Sequence, residues 1–74
     1  MYILAKNKKT IVAFGANEIG VLTVQKIIGG KFSVVCGEVG SIVLGTYTDE
    51  KLATDELSKI FSAIEEGKNF YEMN

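Results

Sequence analysis

Two consecutive glycines, Gly29 and Gly30, separate the two longest β-rich runs of this chain, residues 21–28 (VLTVQKII) and 31–37 (KFSVVCG). Glycine accepts the positive φ angles of a tight turn, so this pattern predicts a β-hairpin. Three further β-rich runs, each bounded by a polar or glycine-containing turn, cover residues 2–6, 10–14 and 41–47. The sequence therefore predicts an antiparallel meander of four to five strands.

The periodicity changes after residue 48, where apolar residues recur at helical spacing: Ala53, Leu57, Ile60, Phe61 and Ile64. We expect a helix over about residues 49–66, with this stripe against the sheet. Thr48 is a suitable N-cap, and Gly67 stands where a left-handed C-terminal cap belongs. Residues 70–73 (FYEM) should form a short extended tail. The predicted fold class is α+β, a single domain (1–74) with one C-terminal helix on one face of the meander.

The residue types that the chain lacks limit its chemistry. Cys36 is the only cysteine and histidine is absent, which excludes an intrachain disulfide and argues against a structural zinc site. No Ser/His/Asp or Cys/His set exists, and no histidine can act as a base near neutral pH. We therefore expect no enzyme activity, no cofactor and no metal. Cys36, set among valines, is expected to be a packed core thiol.

The charge pattern makes some partners less plausible. The net charge is −1 and every cation is a lysine, so arginine, the usual reader of guanine and phosphate, is missing. We expect no DNA or RNA partner. No apolar run approaches the length of about 18 residues that a membrane span needs, and the N-terminus lacks a signal-peptide pattern. A cytoplasmic location without a membrane partner is expected.

The central strands carry too much apolar surface for one helix to cover. Between residues 10 and 48 the only charged side chains are Glu18, Lys26, Lys31 and Glu38. Strict alternation places Leu44 on one face and both Val43 and Tyr47 on the other, so both faces would be substantially apolar. An uncovered apolar face marks an interaction site. The chain is therefore expected to form a homo-oligomer, a dimer or higher.

Five residues are candidates for ligand binding: Lys6, Lys8, Lys9, Tyr47 and Tyr71. The three lysines cluster at the first turn, where they could meet an anion, and either tyrosine could stack on a base. Solvated lysines and packed aromatic side chains are the plainer interpretation. The glycine-bracketed loops 15–20 and 37–40 could also present backbone N–H groups to a phosphate.

One resemblance adds a functional expectation. The stretch LGTYTDEKLATDELSKIFSAIEEGKNFYEM (44–73) resembles the ending of a family of small phage and prophage proteins from Gram-positive bacteria, and the opening MYIL is also similar. More distantly, LGTY and the acidic helix that follows it are similar to the N-terminal portion of the Thoeris anti-defence sponges. Those phage proteins are oligomers that sequester cyclic ADP-ribose-type signals without cleaving them.

The resemblance implies a non-catalytic, phage-encoded protein that acts in the bacterial host cytoplasm. As a sponge, it would trap a cyclic nucleotide immune signal as a homo-oligomer. Two alternatives stay open: a protein–protein interaction module that inhibits a host enzyme or defence protein, and a phage accessory protein with no small ligand.

Overall fold

The computed structural model describes residues 1–14, 21–37 and 42–74. In chain order its elements are β1 (Tyr2–Leu4), β2 (Ile11–Ala13), β3 (Leu22–Ile27), β4 (Lys31–Cys36), β5 (Ile42–Tyr47), α1 (Glu50–Glu65) and β6 (Phe70–Glu72). The α+β class is confirmed, with a C-terminal helix packed on a β-meander. The loop predicted for residues 15–20 lies outside the described residues.

The strands form two three-stranded sheets. β3, β4 and β5 are the antiparallel meander, while β1 pairs with β2 on one side and with β6 on the other. The pairing of β6 with β1 is parallel. The Tyr2 N–H donates to the Asn69 carbonyl (2.8 Å) and the Met73 N–H donates to the Leu4 carbonyl (3.0 Å). The segment expected to be an extended tail is therefore a paired strand.

The double glycine makes the hairpin that the sequence predicts, with φ angles of +93° at Gly29 and +74° at Gly30. The last strand pair is Ile27 with Lys31, so the loop contains three residues instead of two. Its first residue, Ile28, is completely exposed at the tip of the hairpin.

The N-cap of the helix lies one residue later than expected. Asp49, with extended backbone (φ −143°), is the N-cap, and its Oδ1 accepts from the Leu52 N–H at 2.9 Å. Thr48 was the wrong cap residue, since an Asp carboxylate both accepts that hydrogen bond and favours the positive end of the helix dipole.

The C-terminal end of the helix is as predicted. Gly67 adopts φ +74°, in the left-handed region. Its N–H donates to the Ile64 carbonyl and the Lys68 N–H donates to the Ala63 carbonyl, both at 3.0 Å. These two bonds are the Schellman arrangement, which satisfies the last carbonyls of the helix and turns the chain toward β6.

The helix packs on the sheets through part of the predicted stripe, with Ala53 and Ile60 in the core and Leu57 against it. Its buried residues are Ala53, Glu56, Ile60 and Ala63, at helical spacing. Phe61 and Ile64 lie outside this face and are 60% and 40% exposed. Two alanines let the helix approach the sheet closely, and the Glu56 carboxylate is tolerated because it has hydrogen-bond partners there.

A β-bulge in β5 connects the two sheets. Val34 pairs with Gly45 and Val35 pairs with Val43, which leaves Leu44 without a partner on β4. The Leu44 carbonyl instead accepts from the Lys6 N–H at 2.7 Å, just after β1. The Leu44 side chain lies in a core shared by both sheets and the helix, built from Ile3, Ala5, Val12, Val34, Cys36, Leu44, Ala53, Ile60 and Met73.

The bulge also changes the face on which Tyr47 lies. Alternation from Leu44 predicted the uncovered face, but the extra residue places Tyr47 opposite Phe32, on the side of the core. A shift of one residue reverses every following side chain in a strand. On the face of the meander away from this core, Ser33 and Val35 are each 1% exposed, and the Ser33 hydroxyl lies 3.0 Å from that of Thr46.

The uncovered apolar face belongs to the other sheet. The strand register places Tyr2 beside Ala13 and Phe70, and Leu4 beside Ile11, all on the side away from the core. We call these five residues the outer apolar face. Glu72, paired with Lys8, lies on the other side of Leu4 and borders this face.

No helix in the part of the chain that the structure describes is long and apolar enough to cross a bilayer.

Candidate binding site around Glu56

Four of the five predicted ligand residues lie around the end of the C-terminal strand. Lys6 and Lys8 follow β1, Tyr47 ends β5, and Tyr71 lies in β6. Lys9 is apart from them: its backbone N–H donates to the Asn7 side chain (2.8 Å), and its ammonium has no hydrogen bond or ion pair with a described residue. The cluster thus contains residues from both sheets, and the sequence pattern did not predict that these sheets would meet.

Glu56 lies beside the two tyrosines of this cluster and is only 3% exposed. Its Oε2 accepts from the Tyr71 hydroxyl at 2.7 Å and from the Asn74 N–H at 3.2 Å. The Tyr47 hydroxyl donates to the Asn74 carbonyl at 3.0 Å. One buried carboxylate and two phenols therefore hold residues 71–74 against the helix.

The lysines already have partners within the chain. The Lys6 ammonium lies 4.2 Å from the centre of the Tyr47 ring and donates to the Thr46 carbonyl at 3.1 Å. The Lys8 ammonium forms an ion pair with Glu72 at 2.6 Å and donates to the Met73 carbonyl at 3.0 Å. These contacts connect the first turn to β5 and β6. The ammonium groups of Lys6 and Lys8, which were expected to meet a phosphate, thus already have partners within the chain.

The surroundings keep both phenols protonated. Burial, followed by the negative charge of Glu56, raises the pKa of Tyr47 to about 12. Burial raises the pKa of Tyr71 still further above its ordinary value, and the hydrogen bond to Glu56 acts in the same direction. Both hydroxyls are therefore neutral donors throughout the physiological range.

These shifts predict an alkaline loss of stability. The folded protein holds the Tyr47 and Tyr71 protons that the unfolded chain releases near a pKa of about 10. Their contribution to the free energy of unfolding is complete below about pH 10 and is lost as the pH rises toward about 12. Urea unfolding at successive pH values should show a smaller alkaline loss in Tyr47→Phe/Tyr71→Phe than in the wild type. The exposed Tyr2→Phe is the control, and equal losses in all three proteins would contradict the assignment.

The surface beside the buried carboxylate is a shallow depression of about 400 Å³. Its lining residues are Tyr47, Leu52, Asp55, Glu56, Lys59 and Asn74. A second depression of about 450 Å³ is lined by Lys6, Asn7 and residues 43–46. Loop 15–20, and all of loop 37–40 except Gly37, lie outside the described residues.

The sequence pattern missed Glu56. Glu56 is not part of the predicted apolar stripe, and its burial depends on Tyr71 and Asn74, which are distant in the chain and belong to a segment expected to be an extended tail. Cys36, by contrast, is buried as expected, and burial raises the pKa of its thiol. Among the described residues no three potential metal-ligand side chains lie together.

Comparison with protein-family models, with curated proteins and with solved structures found no match for this chain. Its function is therefore inferred from the geometry.

Proposed function

We propose that this chain is a non-catalytic binding protein that works as a homo-oligomer through protein–protein contacts. The outer apolar face carries the proposal. Tyr2, Ile11 and Phe70 are 57%, 62% and 50% exposed there. The three strands that carry them, β2, β1 and β6, pair with one another and leave this face of the sheet uncovered. Contiguous exposed apolar side chains of this kind mark interaction sites on small proteins.

The shape of this face favours a second copy of the chain as its partner. Paired sheets pack face to face at a separation of about 10 Å, each contributing alternate side chains. Tyr2 and Phe70 are neighbours across β1 and β6, so a symmetric pair would place aromatic side chains of both copies in one cluster. Buried aromatic side chains contribute strongly to interface energy.

Light scattering at micromolar concentration tests this proposal directly. The wild type should have the mass of a dimer or larger assembly. Phe70→Lys should weaken association by about tenfold or more, since central aromatic residues are typical interface hot spots. Phe61→Lys is the matched control, because Phe61 is equally exposed but lies on the helix. A monomeric wild type, or equal weakening by both variants, would overturn the proposal.

The signal-trapping form of this function stays a prediction. Lys6, Tyr47 and Tyr71 stand close together, as a nucleotide site would need, but the Glu56 carboxylate beside the two tyrosines repels phosphate. Thermal shift with cyclic nucleotides and cyclic ADP-ribose isomers separates this form from an inhibitor of a host protein. A ligand at 100 times its Kd would add about 2.7 kcal/mol to the free energy of unfolding.

A further inference from the structure

We propose that Glu56 is the base of a cation-binding site, which accepts an ammonium or guanidinium group on an aliphatic chain. The depression beside Glu56 is this site. A lysine or arginine side chain of a partner protein and a free alkylamine share the required chemistry. The site goes beyond the oligomer proposed above, since it lies on the opposite side of β6 from the outer apolar face.

The first argument is that Glu56 is a buried charge without a counter-ion. Its two donors, the Tyr71 hydroxyl and the Asn74 N–H, are neutral, and no lysine forms an ion pair with it among the described residues. Buried carboxylates are normally paired with a cation because removal from water is costly. A bound cation would offset this cost, so its binding would stabilise the folded chain.

The second argument is that one carboxylate oxygen remains open. Both hydrogen bonds reach Oε2, and Oε1 accepts none from the described residues. Every fully buried side-chain oxygen or nitrogen in the same ranges has a partner. Oε1 must therefore touch the surface, and the depression of about 400 Å³ is where Glu56 contributes to that surface.

The third argument comes from the walls of the depression. Leu52 and the Tyr47 ring provide apolar surface for an alkyl chain. Asp55 adds a second carboxylate, which already forms an exposed ion pair with Lys51 at 3.3 Å, and Lys59 also lines the depression without an ion pair to Glu56 among the described residues. The Tyr47 ring already has one ammonium group 4.2 Å from its centre, that of Lys6. Aromatic rings and carboxylates together are the usual environment of organic cations.

The same walls argue against two other ligands. Calcium takes six to eight oxygen ligands, whereas only two carboxylates lie here and half of the lining is apolar or cationic. A phosphate would be repelled by Glu56 and Asp55. An aliphatic organic cation fits this lining better than either, because its alkyl part can contact Leu52 and the Tyr47 ring while its charge meets Glu56.

A titration monitored by ¹⁵N NMR tests the site with two probes, 1,4-diaminobutane and the peptide acetyl-Gly-Lys-Gly-amide. Either probe should shift the amide signals of Asp55, Glu56 and Asn74. Glu56→Gln, which keeps the hydrogen-bond acceptor, should weaken binding by about tenfold or more, because a charge-assisted hydrogen bond is lost. Glu65→Gln removes the same charge from an exposed position of the same helix and should leave binding unchanged.

A second variant protects the test if Glu56→Gln alters the fold. Leu52→Lys adds an ammonium at the edge of the depression, where Leu52 is half exposed, and should also weaken binding. Peptide binding alone identifies a protein side chain as the source of the cation, and diamine binding alone identifies a free amine. No shift by either probe up to about 10 mM, the range of weak binding, overturns the proposal. Equal weakening by Glu56→Gln and Glu65→Gln also overturns it.

Discussion

Replacement of Leu44 by alanine is expected to lower the free energy of unfolding by about 2 to 5 kcal/mol, the usual range for a buried leucine. Leu44 is 1% exposed and lies where the core of one sheet meets that of the other. A domain of this length has about 4 to 10 kcal/mol of stability in total. The substitution should therefore bring the protein close to unfolding at room temperature.

Urea unfolding followed by circular dichroism measures this effect, and the adjacent residue provides the control. Val43 is 53% exposed on the outer face of the meander, so Val43→Ala should change the free energy of unfolding by less than about 1 kcal/mol. Equal losses for the two variants would mean that the bulge does not place Leu44 in the core as described.

Replacement of Met73 by aspartate should have a comparable or larger effect. Met73 is completely buried, and its methyl group lies close to Gly45 and the first turn. An aspartate there would bury a carboxylate without a cation, which costs about 3 kcal/mol or more unless the strand leaves its place. We expect β6 to detach from β1, and the hydrogen bonds that Asn74 makes with Glu56 and Tyr47 to be lost.

Hydrogen exchange distinguishes detachment of β6 from global unfolding. The Tyr2 N–H, which donates to Asn69, should lose protection in Met73→Asp, while the amides of β4 stay protected if only β6 leaves. Asn69→Asp adds the same charge at an exposed position of the same segment and should leave protection unchanged. Unchanged protection of Tyr2 in Met73→Asp would contradict the pairing of β6 with β1.

The parts of the fold that could be predicted from the sequence depend on neighbours in the chain. The Gly29–Gly30 hairpin follows from glycine's freedom of φ, and the helix bounds agree within one residue at each end. The Gly67 cap follows from the same freedom. In each case the residues that determine the structure lie within a few positions of one another.

The site depends on contacts between distant segments, and the sequence pattern does not contain them. Tyr47 lies on the other face because one extra residue in β5 reverses the alternation. Gly45 is a possible signal, since an isolated glycine within a strand often marks a bulge, but it does not fix the register. Glu56 is buried only because residues 71–74 return to the helix. Contacts between distant segments also bring Lys6 to the Tyr47 ring and Lys8 to Glu72, while Lys9 stays apart from them.

The parallel pairing of β1 with β6 has a consequence for how the chain folds. β1 (Tyr2–Leu4) pairs with β6 (Phe70–Glu72), and this contact spans almost the whole of the sequence. Closing so long a loop is entropically costly and slow compared with forming a hairpin. During synthesis the meander and helix can form while the first strand still has an open edge. We therefore expect the two-sheet core to close last, once β6 has left the ribosome.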